Sequence, residues 1–220
     1  MGSLGYGVLS RGAKVMGLVL LSSTALQAEE ITIAALGDSL TAGYGLPQGE
    51  GFVPQLQAWL DAEGVEATVI NAGVSGDTTA GGLSRVAWTL SPEVDAMIIA
   101  LGGNDYLRGI DPAVSRANLE GILAQGQAAG VEMLLVGLSV GANYGVDYKQ
   151  AFEGMYAELA AQYDVPLYPD FAAGLRAAAG MGEGMAEFLQ ADGIHPNRDG
   201  VSLIVSAMGP TVADLVSAVE

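Results

Sequence analysis

The sequence contains no cysteine and only one histidine, His195, in 220 residues. The absence of cysteine excludes a disulfide framework and a thiolate zinc site. A single histidine excludes a zinc site built from several imidazoles. We therefore expect neither a metal site nor a cofactor, and any chemistry that needs an imidazole has to use His195.

Basic residues are also scarce. Eight Lys and Arg stand against 25 Asp and Glu, which gives a formal net charge of −17. Nucleic-acid binding needs a cationic surface, and so does electrostatic docking on anionic lipid. The acids are scattered along the chain, which is typical of a soluble acidic surface. We therefore expect no nucleic-acid partner and no stable membrane anchor in the mature domain, and the composition sets no oligomeric state.

Charged residues make up only 15% of the chain, and half of the residues are hydrophobic. This composition is not that of a disordered chain. A length of 220 residues fits one domain with a sizeable core. The 32 glycines have no fixed period, which excludes a collagen-like repeat and indicates many tight turns.

Residues 1–28 have the pattern of a secretory signal peptide. Arg11 and Lys14 precede a short apolar run at 15–21, and Ala28 ends a small-x-small cleavage site. The run is shorter than the roughly 20 residues that span a bilayer. We expect residues 1–28 to be removed and residues 29–220 to form a periplasmic or secreted domain; the alternative is an uncleaved anchor.

The rest of the chain alternates apolar strand-like runs with helical patterns. The predicted strands are 31–36, 67–71, 95–101, 131–138 and 165–168, and the predicted helices are 52–63, 78–90, 111–129, 147–163 and 199–219. Strict alternation with buried strands predicts an α/β fold in which a parallel sheet is covered by helices on both faces. Residues 171–190 form a long, weakly patterned connection, which we interpret as a mobile flank of the site.

Polar residues follow the predicted strands at the edge where such sheets bind ligands. Ser39 follows the first strand in Gly-Asp-Ser, Gly73 follows the second, and Asn104 follows the third. His195 lies just before the last helix in Asp-Gly-Ile-His-Pro-Asn, three residues after Asp192. We therefore expect these five residues to meet at one edge of the sheet.

A serine hydroxyl needs a base before it can act as a nucleophile. If Ser39 is the nucleophile, His195 has to be the base, and Asp192 can orient the imidazole and stabilise its charged form. An oxyanion also needs donors that are already in place. The candidates are the Ser39 N–H, the Gly73 N–H and the Asn104 side-chain amide.

Each motif alone has a purely structural explanation. Gly-Asp-Ser can be a turn with a helix cap, Gly73 a turn glycine, Asn104 a helix start, and His195 a surface residue. Asp77, in Gly-Asp-Thr-Thr, is typical of a helix cap. The catalytic interpretation depends on all of these motifs standing in the right order at successive strand ends.

At these residues the sequence resembles the SGNH hydrolase superfamily, also called the GDSL esterases. The resemblance covers about residues 31–218 and is strongest with a bacterial periplasmic branch of acyl-CoA thioesterase/lysophospholipase enzymes and arylesterases. The motifs that carry it are Gly37-Asp-Ser-Leu-Thr-Ala-Gly-Tyr44, Asn71-Ala-Gly-Val-Ser-Gly-Asp-Thr78, Leu101-Gly-Gly-Asn-Asp-Tyr-Leu-Arg-Gly109, Ala142-Asn-Tyr-Gly145 and Asp192-Gly-Ile-His-Pro-Asn197.

The resemblance implies a flavodoxin-like three-layer α/β/α sandwich with a five-stranded parallel sheet. It implies a triad of Ser39, Asp192 and His195, and no metal. Relatives carry a proline just before the Ala142-Asn-Tyr-Gly145 stretch, where this chain has Gly141. That loop borders the acyl site in the family, so the resemblance implies no chain-length preference.

The expected function is a secreted serine esterase that hydrolyses small acyl esters or thioesters through an acyl-enzyme on Ser39. Two alternatives stay open. One is a carbohydrate O-deacetylase on the same scaffold, although eight Tyr, four Phe and two Trp show no sugar-binding cluster in the sequence. The other is a non-catalytic periplasmic binding domain. Export disfavours cytosolic acyl-CoA as the physiological substrate.

Overall fold

A computed structural model describes residues 30–179 and 183–219, together with residues 1, 2 and 5. Its centre is a five-stranded sheet with the strand order β2-β1-β3-β4-β5. All neighbouring strands are parallel. The strands are β1 Ile31–Gly37, β2 Ala67–Gly73, β3 Ala96–Ala100, β4 Glu132–Val136 and β5 Leu167–Tyr168.

Eight α-helices and one 3₁₀ helix connect and flank the described strands. They are α1 Ser39–Ala42, α2 Phe52–Glu63, α3 Thr79–Thr89, α4 Gly103–Leu107, α5 Pro112–Ala129, α6 Val146–Tyr163, α7 Ala173–Ala179, the 3₁₀ helix Glu183–Phe188 and α8 Arg198–Val219. Helices α2, α7 and α8 pack together, and so do α3, α5 and α6.

Two hydrophobic cores hold the three layers together, one on each face of the sheet. The core on the α2/α8 face contains Ile33, Phe52, Leu56 and Met208 among its residues. The core on the α3/α5/α6 face is built around Met97 and its neighbours. Both faces of β3 are therefore covered, which explains its continuous apolar sequence. This is the predicted three-layer α/β/α architecture with a five-stranded parallel sheet.

Helix α8 is long and apolar enough to cross a membrane by length and composition. Its apolar stripe is nevertheless buried against the sheet, with Val201, Ile204, Val205 and Met208 at most 3% exposed. An amphipathic core helix of this length satisfies the same criteria as a membrane span.

The five predicted strands and five predicted long helices are confirmed, with ends that differ by a few residues. Two expectations need correction. The connection 171–190 contains α7 and the 3₁₀ helix, so it is more regular than its weak pattern indicated; its mobility stays a prediction. Thr78, not Asp77, caps α3, because its side chain accepts the Gly81 N–H. The predicted signal peptide lies outside the described residues, apart from positions 1, 2 and 5.

Candidate active site

The nucleophile candidate lies where β1 leaves the core. Strand β1 ends at Gly37, and the next residue, Asp38, is the N-cap of the short helix α1. The Asp38 carboxylate accepts the Leu40 N–H at 3.0 Å, which starts the helix at Ser39. Ser39 is thus held at the carboxyl edge of the sheet by a buried strand on one side and a capped turn on the other.

The structure brings Ser39, His195 and Asp192 into a single hydrogen-bonded chain. The Nε2 atom of His195 lies 2.9 Å from the Ser39 Oγ, and its Nδ1 atom lies 2.7 Å from the Asp192 Oδ2. The other oxygen of Asp192 accepts the N–H groups of Ile194 and His195 at 2.9 and 3.0 Å. These contacts have the geometry of a serine, its base and an orienting carboxylate.

Hydrogen bonds keep Asp192 ionised. The His195 N–H, the Ile194 N–H and then the His195 side chain lower the pKa of this carboxyl group to about 2. Asp192 therefore carries its negative charge through the whole range in which an esterase works, and it can hold the imidazole in one orientation.

The ring of Tyr44 covers one face of His195, with ring centroids 4.7 Å apart. Gln190 links the two loops, because its Nε2 donates to the carbonyl oxygens of Tyr44 at 2.8 Å and Pro196 at 3.0 Å. The backbone N–H of Gln190 also donates to the His195 carbonyl at 2.7 Å. The sequence analysis assigned no role to Tyr44, although this residue ends the Gly37–Tyr44 motif that contains Ser39.

Asn104 reaches the same site from α4, the helix that follows β3. Its Nδ2 donates to the Asp38 Oδ2 at 3.3 Å, so the NH₂ end of the amide faces Asp38, the residue before Ser39. Asp38 is only 3% exposed. Burial raises its pKa to about 6, against hydrogen bonds from Leu40 and Asn104 that lower it.

A second buried carboxylate, Asp105, anchors α4 from behind. Its oxygens accept the Thr79 N–H at 2.8 Å, the Thr79 hydroxyl at 2.6 Å and the Ser115 hydroxyl at 2.9 Å. This network joins α3, α4 and α5 in a region that is closed to solvent. It therefore holds the backbone of Asn104 in place.

Gly73 does not take the position predicted for it. It is the last residue of β2, and its N–H already donates to the Asn71 Oδ1 at 2.9 Å. A Cβ atom on Gly73 would lie 2.4 Å from the Ala42 nitrogen, so glycine is needed here for the close approach of α1 to β2. These observations argue against Gly73 as an oxyanion donor.

Gly76, three residues further on, lines the cavity together with Ser39 and Asn104. It adopts a left-handed conformation with φ of 85°, which favours glycine. Among the described residues its N–H has no hydrogen-bond partner, and the same holds for the Ser39 N–H. These features make Gly76 a better candidate donor than Gly73, and the sequence analysis assigned no role to Gly76.

The cavity at Ser39 has a volume of about 470 Å³ and a mainly apolar lining. Its apolar walls come from the loop after β4 and from the 171–190 segment, including Leu138, Val140, Phe171, Leu175, Met185 and Leu189. Both loops that the sequence analysis placed beside the site therefore border the cavity. Such a lining suits the hydrocarbon part of an ester.

Five aromatic rings stack into one cluster behind the cavity, which the sequence analysis did not foresee. They are Tyr106, Tyr144, Tyr148, Phe152 and Tyr156, each within 6.3 Å of a neighbouring ring. Of these only Tyr106 lines the cavity. Phe152 and Tyr156 are buried, whereas Tyr144 is 48% exposed, so the cluster is only partly core packing.

The arrangement of titratable groups also bears on whether a metal ion could bind. Within the described ranges, no three His, Asp or Glu side chains are grouped so that they could hold a metal ion. The groups that are present, a serine hydroxyl, an imidazole and an oriented carboxylate, are those of nucleophilic acyl transfer.

The GDSL-like Lipase/Acylhydrolase family model matches residues 35–203. The chain belongs to this family. It is therefore an SGNH-type serine ester hydrolase, as the motifs around Ser39 and His195 predicted. The match begins within β1 and includes every residue of the candidate site.

Similar proteins cover nearly the same length. Esterase TesA of Pseudomonas aeruginosa is 39% identical over 91% of this chain and 96% of its own. Thioesterase 1/protease 1/lysophospholipase L1 of Escherichia coli K12 is 37% identical over 91% of each chain. The crystal structure of AlinE4, an SGNH-hydrolase family esterase, superposes with a TM-score of 0.69 at 43% identity, covering 86% of this chain and 97% of that one.

Proposed function

We propose that this chain is a periplasmic or secreted serine esterase that hydrolyses small acyl esters and thioesters. The observation that carries the proposal is the continuous path from Asp192 through His195 to the Ser39 Oγ, with contacts of 2.7 and 2.9 Å, at the floor of an apolar cavity. The names of the similar proteins, an esterase and a thioesterase/lysophospholipase, support the same substrate classes.

In the proposed reaction His195 Nε2 takes the Ser39 proton as the Oγ attacks the acyl carbonyl carbon. The carbonyl π electrons move onto oxygen and form a tetrahedral oxyanion. The same imidazolium then protonates the leaving alcohol or thiol, which leaves an acyl-enzyme on Ser39. Water, deprotonated by His195, attacks this ester; the acid leaves and the proton returns to Ser39.

We infer three hydrogen-bond donors for this oxyanion. They are the Ser39 N–H at the start of α1, the Gly76 N–H and the Asn104 Nδ2. The first two have no partner among the described residues, and the third is oriented by Asp38. Removing one such donor typically lowers kcat by about 10²- to 10³-fold.

The test is the Ser39→Ala variant in an assay with p-nitrophenyl esters. Turnover should fall by roughly 10⁴-fold or more, while thermal unfolding stays close to that of the wild type. Ser217→Ala is the matched control, because this serine lies on the outer surface of α8 and bonds only its own helix. Hydrolysis that survives in pure Ser39→Ala protein would disprove the nucleophile.

A fluorophosphonate probe separates catalysis from simple binding. The wild type should be labelled at Ser39, and His195→Ala should not be labelled, because the hydroxyl then has no base. A chain that binds esters but is never labelled would be the non-catalytic binding domain.

A comparison of hydrolysis rates across several esters tests the substrate class. Rates on p-nitrophenyl esters of increasing chain length, phenyl acetate, a lysophospholipid and an acetylated sugar should favour the apolar acyl groups that fit the cavity lining. A preference for the acetylated sugar would instead favour the O-deacetylase. Detection of the mature chain beginning near residue 29 in the periplasm or medium would test export.

A further inference from the structure

Arg85, on α3, directs its guanidinium group to the carboxyl edge of the sheet. Each of its three nitrogens has a partner there. Nε donates to the Asp77 Oδ2 at 2.6 Å, Nη1 to the Ala72 carbonyl at 2.6 Å and Nη2 to the Gly37 carbonyl at 2.9 Å. One planar group thus joins the ends of β1 and β2 to the loop that follows β2.

These partners stand next to the candidate catalytic groups. Gly37 is the last residue of β1 and lies two residues before Ser39. Asp77 directly follows Gly76. The guanidinium therefore bridges the strand that delivers the nucleophile and the loop that offers an oxyanion donor.

Few other contacts fix this loop. The register between β1 and β2 ends at the pair Gly37 and Gly73. Beyond it, the Val74 N–H donates to the Gly37 carbonyl at 3.0 Å, and the Asp77 N–H closes a turn onto Val74 at 3.0 Å. The position of Gly76 relative to Ser39 then depends on this short turn, on the Arg108 Nη2, which donates to the Gly76 carbonyl at 2.8 Å, and on the Arg85 guanidinium.

The Arg85 guanidinium group is chemically suited to hold two backbone segments at a fixed distance. The guanidinium is planar, always charged, and offers its donors in a rigid fork. Charge-assisted hydrogen bonds of this kind are short and stronger than neutral ones. The side chains of Arg85 and Asp77 are only 22% and 18% exposed, so water competes weakly for them.

We infer that Arg85 is a positioning residue of the hydrolase: its guanidinium fixes the distance between Ser39 and the Gly76 N–H, so that the oxyanion donors are in place before the substrate arrives. The inference rests on the proposed function, because it acts through the oxyanion donors of that reaction. Arg85 itself touches neither the ester nor the triad.

The first test compares Arg85→Lys and Asp77→Asn with the wild type. An ammonium group is a single point charge and cannot make three contacts in one plane. A misplacement of about 1 Å at a reacting group costs about 10²-fold in rate. We expect kcat to fall by about that factor in both variants, with KM changed by less than about threefold, since ground-state binding in the apolar cavity is untouched.

The second test is chemical rescue of Arg85→Ala by free guanidinium at a concentration too low to unfold the protein. Added guanidinium should restore kcat at least about tenfold in this variant and leave the wild type unchanged. Arg116→Ala is the matched control, since Arg116 on α5 pairs with Glu120 and Glu158, away from the cavity. It should keep the wild-type kcat and show no response to guanidinium.

If Arg85 contributed to stability alone, the variants would give different kinetics. Folded Arg85→Lys and Asp77→Asn variants with wild-type kcat would overturn the inference, and so would a loss that appears in KM only. If Arg85→Ala does not fold, these two variants decide. A wild type that hydrolyses no ester would overturn the proposed function, whereas an active wild type with equally active variants would overturn only the role of Arg85.

Discussion

The ring of Tyr44 lies 4.7 Å from the imidazole ring of His195, tilted by 41°, and covers one of its faces. Tyr44 also lines the cavity. In the proposed reaction His195 Nε2 protonates the leaving group, so we expect the leaving group to depart beside this ring. We also expect the aromatic ring to stabilise the imidazolium that forms during that reaction.

This contact predicts different effects for two substitutions of Tyr44. Tyr44→Leu should lower kcat/KM for p-nitrophenyl esters about fivefold, because a cation–π contact contributes about 1 kcal/mol. Tyr44→Phe keeps the aromatic face and should stay within about twofold of the wild type. Steady-state kinetics of the three proteins would check this. Equal losses in both variants would show that the hydroxyl, not the ring, matters.

A second prediction concerns the buried carboxyl group of Asp38. Burial raises its pKa to about 6 from the ordinary 3.8. The folded state thus favours the neutral form, and the stability that this form provides is complete below about pH 3.8 and is lost as the pH rises through 6. Asn cannot ionise, so the stability difference between Asp38→Asn and the wild type should change in favour of the variant by up to about 3 kcal/mol as the pH rises from about 4 to 8.

The same substitution should reduce activity. An amide at position 38 presents its NH₂ group or its oxygen, but it cannot accept both the Leu40 N–H and the Asn104 Nδ2 as the carboxylate does. We expect kcat to fall between about 10- and 10²-fold. Urea unfolding over the pH range would measure the stability change, with Asp111→Asn as the matched control. Asp111 is an exposed N-cap that also accepts the N–H two residues on, so a similar pH trend there would contradict the prediction.

Most of the architecture could be predicted from the sequence because each strand and long helix has its own apolar pattern. The contact between Ser39 and His195 could be predicted because the sequence has only one histidine. The proposed oxyanion glycine, Gly76, could not. Along a parallel strand, successive N–H groups point to opposite sides, so the choice between Gly73 and Gly76 depends on where β2 ends. Sequence spacing alone does not fix that point within a few residues.

The helix α7 within residues 171–190 was not predicted, for a different reason. Helix α7 is formed largely by alanine and glycine, with Leu175 as its one large buried side chain. Such a sequence has high helix propensity from alanine but almost no apolar periodicity. The helix propensity of the alanines would have indicated this helix, whereas the spacing of apolar residues did not. The side chains of Tyr44 and Arg85 were missed because their roles come from tertiary contacts across about 150 and 50 residues, respectively, of the chain.

A third prediction follows from the charges around the cavity. Between residues 30 and 219 the described part of the chain has six basic side chains, and five of them pair with an acid. The sixth, Arg108, donates to the Gly76 carbonyl. A polyanionic leaving group such as coenzyme A therefore meets a strongly negative protein with little cationic compensation.

Salt should consequently speed the reaction with a coenzyme A thioester. Raising the ionic strength screens the repulsion, so kcat/KM for palmitoyl-CoA should rise with added NaCl. The uncharged thioester of the same acyl chain with N-acetylcysteamine is the matched control and should be insensitive to salt. If salt instead slowed the reaction with palmitoyl-CoA, a cationic docking site would have to exist, and Arg108→Gln would identify whether this arginine forms it.

The last prediction uses two glycines in helix interiors, one with open space around it and one tightly packed. Gly154 lies in α6, and the nearest atom to a Cβ there is a Glu158 oxygen at 3.9 Å. Gly209 lies in α8 with a Cβ position only 2.5 Å from the Trp59 ring. Alanine stabilises a helix interior by about 1 kcal/mol relative to glycine where space allows, so Gly154→Ala should raise the free energy of unfolding by up to that amount.

At Gly209 the clash should outweigh the same gain. The indole ring of Trp59 is rigid and packs between α2 and α8, so a new methyl group has to push the helices apart. Overpacking of this kind costs about 1–3 kcal/mol. Gly209→Ala should therefore lower the free energy of unfolding, and the double variant with Trp59→Leu should recover part of the loss, because the shorter side chain leaves room for the methyl group. Urea denaturation of the four proteins would give the coupling energy, and a Gly209→Ala variant as stable as Gly154→Ala would contradict the close packing of α2 on α8.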